Sequence, residues 1–598
     1  MNWSQHHMRH HSVNSTVIER RLPLAQQAGD DTLGQRKPAF CLDRRVTSTG
    51  IFVAAGVILL LYALGMRFHA YLPVPLFFLS VSLLVGVIIY QVLALSLAGP
   101  FAAVVLAEIT AAALLFHLTL QIPGYGLLGS DAYWDMTSTR SILMSGYIRG
   151  VPEFVQLTSF FPMMHILGAQ VTLVTGIDYF TVAKWLPSFL DVAIVPFLYL
   201  LVRLVFKSQR AALLSALIFA ALQHHILFGS LFIRETIALI LMACSFYLYM
   251  AAGSSGHPVA YRALSILTLS GVILAHHLTA FMLVAFLVVH WLVTGLFRLG
   301  RRGWSLPTPA SEPLSLSFVL IAVVGVFTYW VNTIIDPLQI LAIFVRNLFS
   351  PQVWGTYTYM GQSTLSLPNI RYYFLVYGSY FCYLVFGLLL VRRLLSRRWS
   401  LSAETYSFTF YLLMCGAAGL VAFYLVPATV GGDRFLTFGW FFGAGPLAMA
   451  VLQDSRKWLA RAGLFFIILF LSLNLYTIHP TIWNPKADGS GGAAWREDFA
   501  LAEKVDFAQG PVLADLNTLM PIYFLQNRMN VDAYALSDPM DLKVFNWIVV
   551  NRSGLEEEGL YTKYSLAAIA DMKSLVKEEP AFFNKAYESG NLAVFRRR

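Results

Sequence analysis

The sequence predicts an all-α polytopic membrane domain of about thirteen transmembrane helices, followed by a small C-terminal extracytoplasmic α/β domain. Three observations predict it. Apolar residues fill 57% of 598 positions and charged residues only 12%, with a mean hydropathy of +0.64, far too little charge to cover a soluble globule of this size. Apolar stretches of about 16 to 25 residues recur along the chain, each bounded by charge, Pro or Gly. The net charge of +10 is concentrated in short basic runs between those stretches, which is how membrane topology is encoded and argues against a nucleic-acid surface.

The stretches lie near 51–66, 74–97, 101–120, 183–205, 211–229, 235–252, 262–275, 278–297, 314–334, 373–393, 406–426, 434–452 and 462–478. Residues 1–48 form a basic tail with no apolar segment of the signal-peptide kind, expected to be disordered and cytoplasmic. Its histidines, His6, His7, His10 and His11, read as part of a solvated tail or as metal ligands. Cys41, Cys244, Cys382 and Cys415 are scattered, and the last three read as small hydrophobes within spans.

The basic turns set the orientation. Arg20, Arg21, Arg36, Lys37, Arg44 and Arg45 share one side with Arg203, Lys207, Arg210, Arg262, Arg298, Arg301 and Arg302, and with Arg392, Arg393, Arg397, Arg398, Arg456, Lys457 and Arg461. That alternation stays in register if FPMMHILGAQVTLVTG is an interfacial or re-entrant helix and not a span. Outer segments 121–182 and 335–372 and the region 480–598 then lie on the opposite, extracytoplasmic side, with 49–479 as the transmembrane domain. Within 480–598, Pro485, Gly489, Gly491 and Gly492 read as a linker, PVLAD and WIVVN as strands, and SLAAIADMKSLVKE as a helix.

An ionised side chain at the bilayer centre costs about 2.5–3.5 kcal/mol even on lenient scales, so polar groups near spans need a reason. In this topology they gather at one membrane boundary: Asp131, Asp135, Arg140, His165, Lys184, Asp191, His224, His225, Arg234, Glu235, His276, His277, Arg371, Asp433 and Arg434. Acids, bases and cations at one depth make a candidate active site.

Each member has a bland reading too. Asp131 is a good helix N-cap, and Asp135, one turn on, would be favoured there by the helix dipole alone, although the two carboxylates would also share a helix face. Arg234 and Glu235 read as a local ion pair at a helix start. His276 and His277 read as polar tips of a tight hairpin, and Arg434 as a lipid-phosphate anchor. A guanidinium fork is equally the preferred partner of a substrate phosphate. Asp191 lies about seven residues past Lys184 and so roughly 10 Å into a span. It would pair with Lys184 or His224, or orient catalytic groups.

Four features together resemble the C-type glycosyltransferase superfamily, which includes protein O-mannosyltransferases, aminoarabinose transferases and oligosaccharyltransferases: SDAYWDM opening the first long outer loop, the FFPMMHILGAQVTLVTG helix after it, LFIRETIAL, and the late GGDRFLTF. The ending AYESGNLAVFRRR is similar to the closing strand pair of small outer domains in uncharacterised prokaryotic members, especially archaeal ones. The spans before residue 100 are extra relative to the family's compact pattern, and no WWDYG-like acceptor motif is present.

The resemblance implies a GT-C-like membrane glycosyltransferase that moves a sugar, with inversion, from a polyprenyl-phosphate donor to a glycan, lipid or protein acceptor. Asp131 would be the catalytic acid or base, with Glu235 a second acid. Arg234 and Arg434 would bind the donor phosphate, with Asp135, His276, His277 and Asp191 as secondary candidates. A divalent ion, Mg or Mn, would be held by Asp131 and Glu235 if one is needed. The competing readings are an O-antigen ligase or polymerase, and a lipid or glycan transporter.

Overall fold

A computed structural model of the protein describes residues 43–68, 72–124, 126–128, 130–148, 160–253, 255–300, 315–332, 381–392, 403–425, 432–452, 457–477, 512–513, 547–551, 583–589 and 592–597. The geometry below lies within the compact unit of residues 45–598. Residues 1–42 of the tail, the 335–372 segment with Arg371, the 485–492 linker and the SLAAIADMKSLVKE stretch lie outside the described residues, while residues 44–48, expected to be part of the disordered tail, are the first turn of a helix.

The helices are α1 (Arg44–Arg67), α2 (Val74–Ala94), α3 (Phe101–Gln121), α4 (Ser130–Ser145), α5 (Met163–Thr175), α6 (Tyr179–Asp191), α7 (Ile194–Phe206), α8 (Gln209–Ala220), α9 (Gln223–Gly229), α10 (Arg234–Ala252), α11 (Pro258–Ala275) and α12 (His277–Gly300). After them come α13 (Leu316–Asn332), α14 (Phe381–Arg392), α15 (Ala403–Leu425), α16 (Gly432–Leu452) and α17 (Lys457–Thr477). Nine helical segments among the described residues are long and apolar enough to cross a membrane, or ten if the bent pair α8–α9 is one span. The protein is an integral, multi-pass membrane protein.

Large apolar side chains such as Val53, Leu61, Leu79, Leu267, Leu296, Val324, Val331 and Leu388 stand more than half exposed along these helices. In water such a surface would drive association; in a bilayer it faces lipid. The innermost helices are distinguishable by burial: 78% of the most apolar stretch of α16 and 67% of that of α10 are buried, against 28% in α11 and 33% in α1.

Aromatic rings lock the inner helices together. Phe286 of α12 stacks on Phe442 of α16 with centroids 3.6 Å apart, and Phe246 of α10 meets Phe286 edge-on at 4.9 Å. Such pairs add about 0.5–1.5 kcal/mol beyond the area they bury. Gly416 of α15 is set by the same packing, because a Cβ there would collide with the Tyr383 ring of α14. Gly416→Ala is expected to cost about 1–3 kcal/mol through overpacking, read as a lower melting temperature in detergent.

Several helices are interrupted, and the breaks have local causes. The run Tyr179–Phe206 contains Pro187, which deletes one helical hydrogen bond, and it breaks at Val192–Ala193. Helices α8 and α9 are bent by 64° at Ala221–Leu222. Lys207 takes a left-handed φ of 53° to end α7, and the Ser208 hydroxyl then caps α8 by accepting the Ala211 N–H.

The FPMMHILGAQVTLVTG stretch forms α5, whose 13 residues are too few to span. Gly176 ends it at φ 71°, and Asp178 starts α6 by accepting the Thr181 N–H at 2.9 Å. Burial alone would push the Asp178 carboxyl up, but the bonds from Thr181 and its neighbours outweigh this and hold it below its ordinary value.

Among the described residues, four strands form one sheet in the order β1-β2-β4-β3: β1 (Val512–Leu513), β2 (Trp547–Asn551), β3 (Phe583–Ser589) and β4 (Leu592–Arg597). Strands β1 and β2 are parallel, and β4 pairs antiparallel with both β2 and β3. Trp547 and Arg596 are register partners, and the guanidinium lies 5.2 Å from the indole centroid.

Candidate active site

Three short segments bring the polar residues together: the start of α4, the α9–α10 junction, and the start of α16. The first is pinned from both sides. The Arg67 guanidinium donates to the carbonyls of Ile122 and Gly124, the Lys184 ammonium also donates to the Gly124 carbonyl, and the Leu127 N–H donates to the Tyr133 hydroxyl. Helix α4 therefore enters at a fixed angle.

Along α4 the two acids differ. Asp131, in the first turn, is exposed, whereas Asp135 is 1% exposed. The shared face expected from their spacing carries only one of them inward, although Ala132 and Tyr133 beside Asp131 are buried. Asp135 accepts the His165 Nε2–H of α5 at 3.0 Å and the Arg234 backbone N–H at 3.3 Å, and the Arg234 side chain lies 3.4 Å away. Burial pushes the Asp135 carboxyl up, but the Arg234 charge together with these bonds outweighs it and holds the group below its ordinary value.

Arg234 and Glu235 do not form the local ion pair anticipated for them. Arg234 turns to Asp135, and Glu235 faces Arg434 across the bundle at 3.7 Å. Neighbouring residues at a helix start project about 100° apart, so each finds its partner on a different helix. The two cations remain 17% and 24% exposed while their carboxylates are buried.

Aromatic rings complete the surroundings. Phe228 lies between Arg434, 4.6 Å from its centroid, and the His224 ring at 4.2 Å. Phe161 lies between Arg234 at 6.0 Å and His277 at 5.3 Å. His276 and His277 occupy the α11–α12 turn with rings 4.8 Å apart, and His276 Nδ1 lies 2.9 Å from the Thr279 hydroxyl. Both histidines lie within electrostatic range of Arg234 and Arg434.

Asp191 belongs to a second cluster. Its partners are neither Lys184 nor His224, as anticipated, but His117 Nε2 at 3.3 Å and His225 Nδ1 at 3.2 Å, all three fully buried. The broken helix turns His225 inward toward Asp191, while its neighbour His224 stacks on Phe228. His117 sits in an otherwise apolar run of α3 and was not singled out in the sequence; a histidine there, four residues before Gln121, was the available signal. Among the described residues, His117, Asp191 and His225 are the one group of three that could hold a metal ion. Asp131 and Glu235 are not members of that group, and Glu235 lies 3.7 Å from the Arg434 guanidinium.

Fold and site thus define a multi-pass membrane protein whose inner helices begin at one paired array of acids, histidines and arginines. No protein-family model and no curated protein matches the chain. Among solved structures it is similar to the archaeal oligosaccharyltransferase AglB from Archaeoglobus fulgidus, in complex with an inhibitory peptide and a dolichol-phosphate, at 12% identity and a TM-score of 0.47, covering 75% of this chain and 70% of that one. It is also similar to ArnT from Cupriavidus metallidurans bound to undecaprenyl phosphate, at 12% identity and a TM-score of 0.44, covering 83% and 98%.

Proposed function

We propose that the chain is an inverting membrane glycosyltransferase that moves a sugar from a polyprenyl-phosphate donor to an acceptor at the extracytoplasmic face. The observation that carries this reading is the pairing of two partly exposed arginines with two buried carboxylates at the starts of α10 and α16, with the exposed Asp131 one helical turn from Asp135. The order of the four sequence motifs supports it.

A lipid phosphate needs cations that are oriented and sit where an apolar tail can remain in the bilayer. Asp135 holds Arg234 and Glu235 holds Arg434, so neither guanidinium has to be ordered when the phosphate arrives. Asp131 then accepts the proton of the acceptor hydroxyl or amine as its oxygen or nitrogen attacks the anomeric carbon. The bond from that carbon to the phosphate oxygen breaks, and the two arginines meet the charge that develops on the departing polyprenyl phosphate. His276 and His277 border the donor headgroup, and Asp191 acts from the neighbouring cluster.

Purified protein incubated with radiolabelled polyprenyl-phosphate sugars and a membrane extract is expected to release label from the lipid; label that stays on every donor offered refutes the reading. Arg434→Ala is expected to raise the donor KM about tenfold or more, as loss of a charge-assisted contact does, with a smaller effect on acceptor KM. Equal effects on both would make Arg434 a structural anchor.

The bend between α8 and α9 favours a second reading, a lipid or glycan transporter, since discontinuous helices line transport sites. In sealed vesicles a transporter would move label across the membrane while it stayed on its lipid.

A further inference from the structure

We propose that His117, Asp191 and His225 form a site for a divalent transition-metal ion of the zinc class, distinct from the arginine-paired array, that fastens the broken α8–α9 segment to α3 and α6. His117 Nδ1 lies 3.0 Å from the Ile226 carbonyl oxygen and 2.9 Å from the Ser230 hydroxyl. A carbonyl only accepts, so Nδ1 carries a proton, and in the neutral ring Nε2 presents a bare lone pair. That lone pair faces Asp191 Oδ2 at 3.3 Å. Two acceptors sealed from water at that distance repel unless a proton or a metal ion lies between them, and Nε2 makes no hydrogen bond to the carboxylate.

His117 Nε2, both Asp191 carboxylate oxygens and both His225 ring nitrogens are buried and without hydrogen bonds. One ligand atom from each of the three residues lies within 4.8 Å of the other two. The same Asp191 oxygen is 3.3 Å from His117 and 3.2 Å from His225. A tetrahedral zinc ion with ligands at about 2.0–2.1 Å separates neighbouring ligand atoms by about 3.3–3.4 Å, so these two edges already have the required length.

The surroundings fit the same purpose. The Ile226 carbonyl fixes the His117 tautomer from behind, as outer-shell partners do for ligating histidines. Gly229 closes the other side, where a Cβ would run into the Asp191 carboxylate and approach His117 Cε1 at 2.8 Å. Two imidazoles and one carboxylate favour zinc or a neighbouring first-row ion over Mg or Ca, which prefer oxygen alone.

Bound there, the ion would join α3, the end of α6 and α9. Helix α9 also supplies Phe228, against which Arg434 rests, so the ion would steady that arginine from a distance. Its role is positioning.

The test uses the full-length chain purified without a metal-affinity tag and carrying His6, His7, His10 and His11→Ala, so that the tail offers no competing ligands. After exposure to Zn²⁺ and desalting it is expected to retain about one zinc per chain, as a specific protein site does. Asp191→Asn and His225→Ala, in the same background, are expected to lose at least nine-tenths of that zinc. Chelator treatment should lower the melting temperature of the parent, and Zn²⁺ should restore it. No retained zinc, or the same zinc in Asp191→Asn, overturns the proposal. If the variants elute as aggregates, X-ray absorption of the zinc-loaded parent decides: a nitrogen and oxygen shell with two imidazoles supports the site, and any other shell overturns it.

Discussion

Replacing Asp131 by Asn is expected to lower sugar transfer by about a hundredfold to ten-thousandfold, the range that a positioned general base supplies. The substitution keeps the size and the helix-capping capacity of the side chain, so the start of α4 should persist. Because Asp131 is exposed, its charge is solvated and its loss should change stability by no more than about 0.5 kcal/mol. The measurement is the initial rate of label transfer beside a melting curve in the same detergent. A folded mutant with the parent's rate would remove Asp131 from the chemistry.

Asp135→Ala is expected to do the reverse, unfolding the site as well as silencing it. The carboxylate accepts from the His165 imidazole and the Arg234 backbone N–H and is ion-paired with the Arg234 guanidinium. Removing it strands an arginine and a histidine with little water nearby, and breaking a buried pair in that way costs about 3–5 kcal/mol. The melting temperature and the transfer rate should fall together, and Asp135→Asn should recover part of the stability by still accepting hydrogen bonds. The pH dependence follows in sign. A carboxyl lowered in the folded state adds stability above its ordinary value, near pH 4, and loses it as pH falls through the lowered value. The alanine variant should therefore lose less stability than the parent between about pH 5 and pH 3. An unchanged melting temperature would show that the pair contributes nothing.

Much of the architecture is legible because a bilayer restricts what a chain can do. Backbone groups must be satisfied within each segment, so apolar runs of span length become helices, and the stretches near 74–97, 101–120, 235–252 and 434–452 correspond to α2, α3, α10 and α16. WIVVN forms β2, and AYESGNLAVF supplies the β3–β4 pair. Breaks inside spans were harder to read. Only the bend at Ala221–Leu222 separates α8 from α9, and no proline or glycine stands at that point.

The candidate site was legible as a set but not in its pairings. Sequence placed Arg234, Glu235 and Arg434 at helix starts and Asp131 and Asp135 on one helix, which the structure has. Which acid meets which cation depends on helix rotation and crossing, so Arg234 takes Asp135, and Glu235 takes Arg434. His117 was hidden because one polar residue in an apolar run gives no periodic signal. Its partners Asp191 and His225 lie on two other helices, so no local spacing links the three.

The account rests on Arg234 and Arg434 forming a phosphate site that opens to lipid. The direct measurement is binding of a polyprenyl phosphate to the purified protein and to Arg434→Ala, followed by equilibrium titration in lipid nanodiscs. The account predicts saturable binding to the parent and an affinity lower by about tenfold or more in the variant, as loss of a charge-assisted bond to phosphate entails. Binding that never saturates, or that is equally tight without the Arg434 guanidinium, would contradict it.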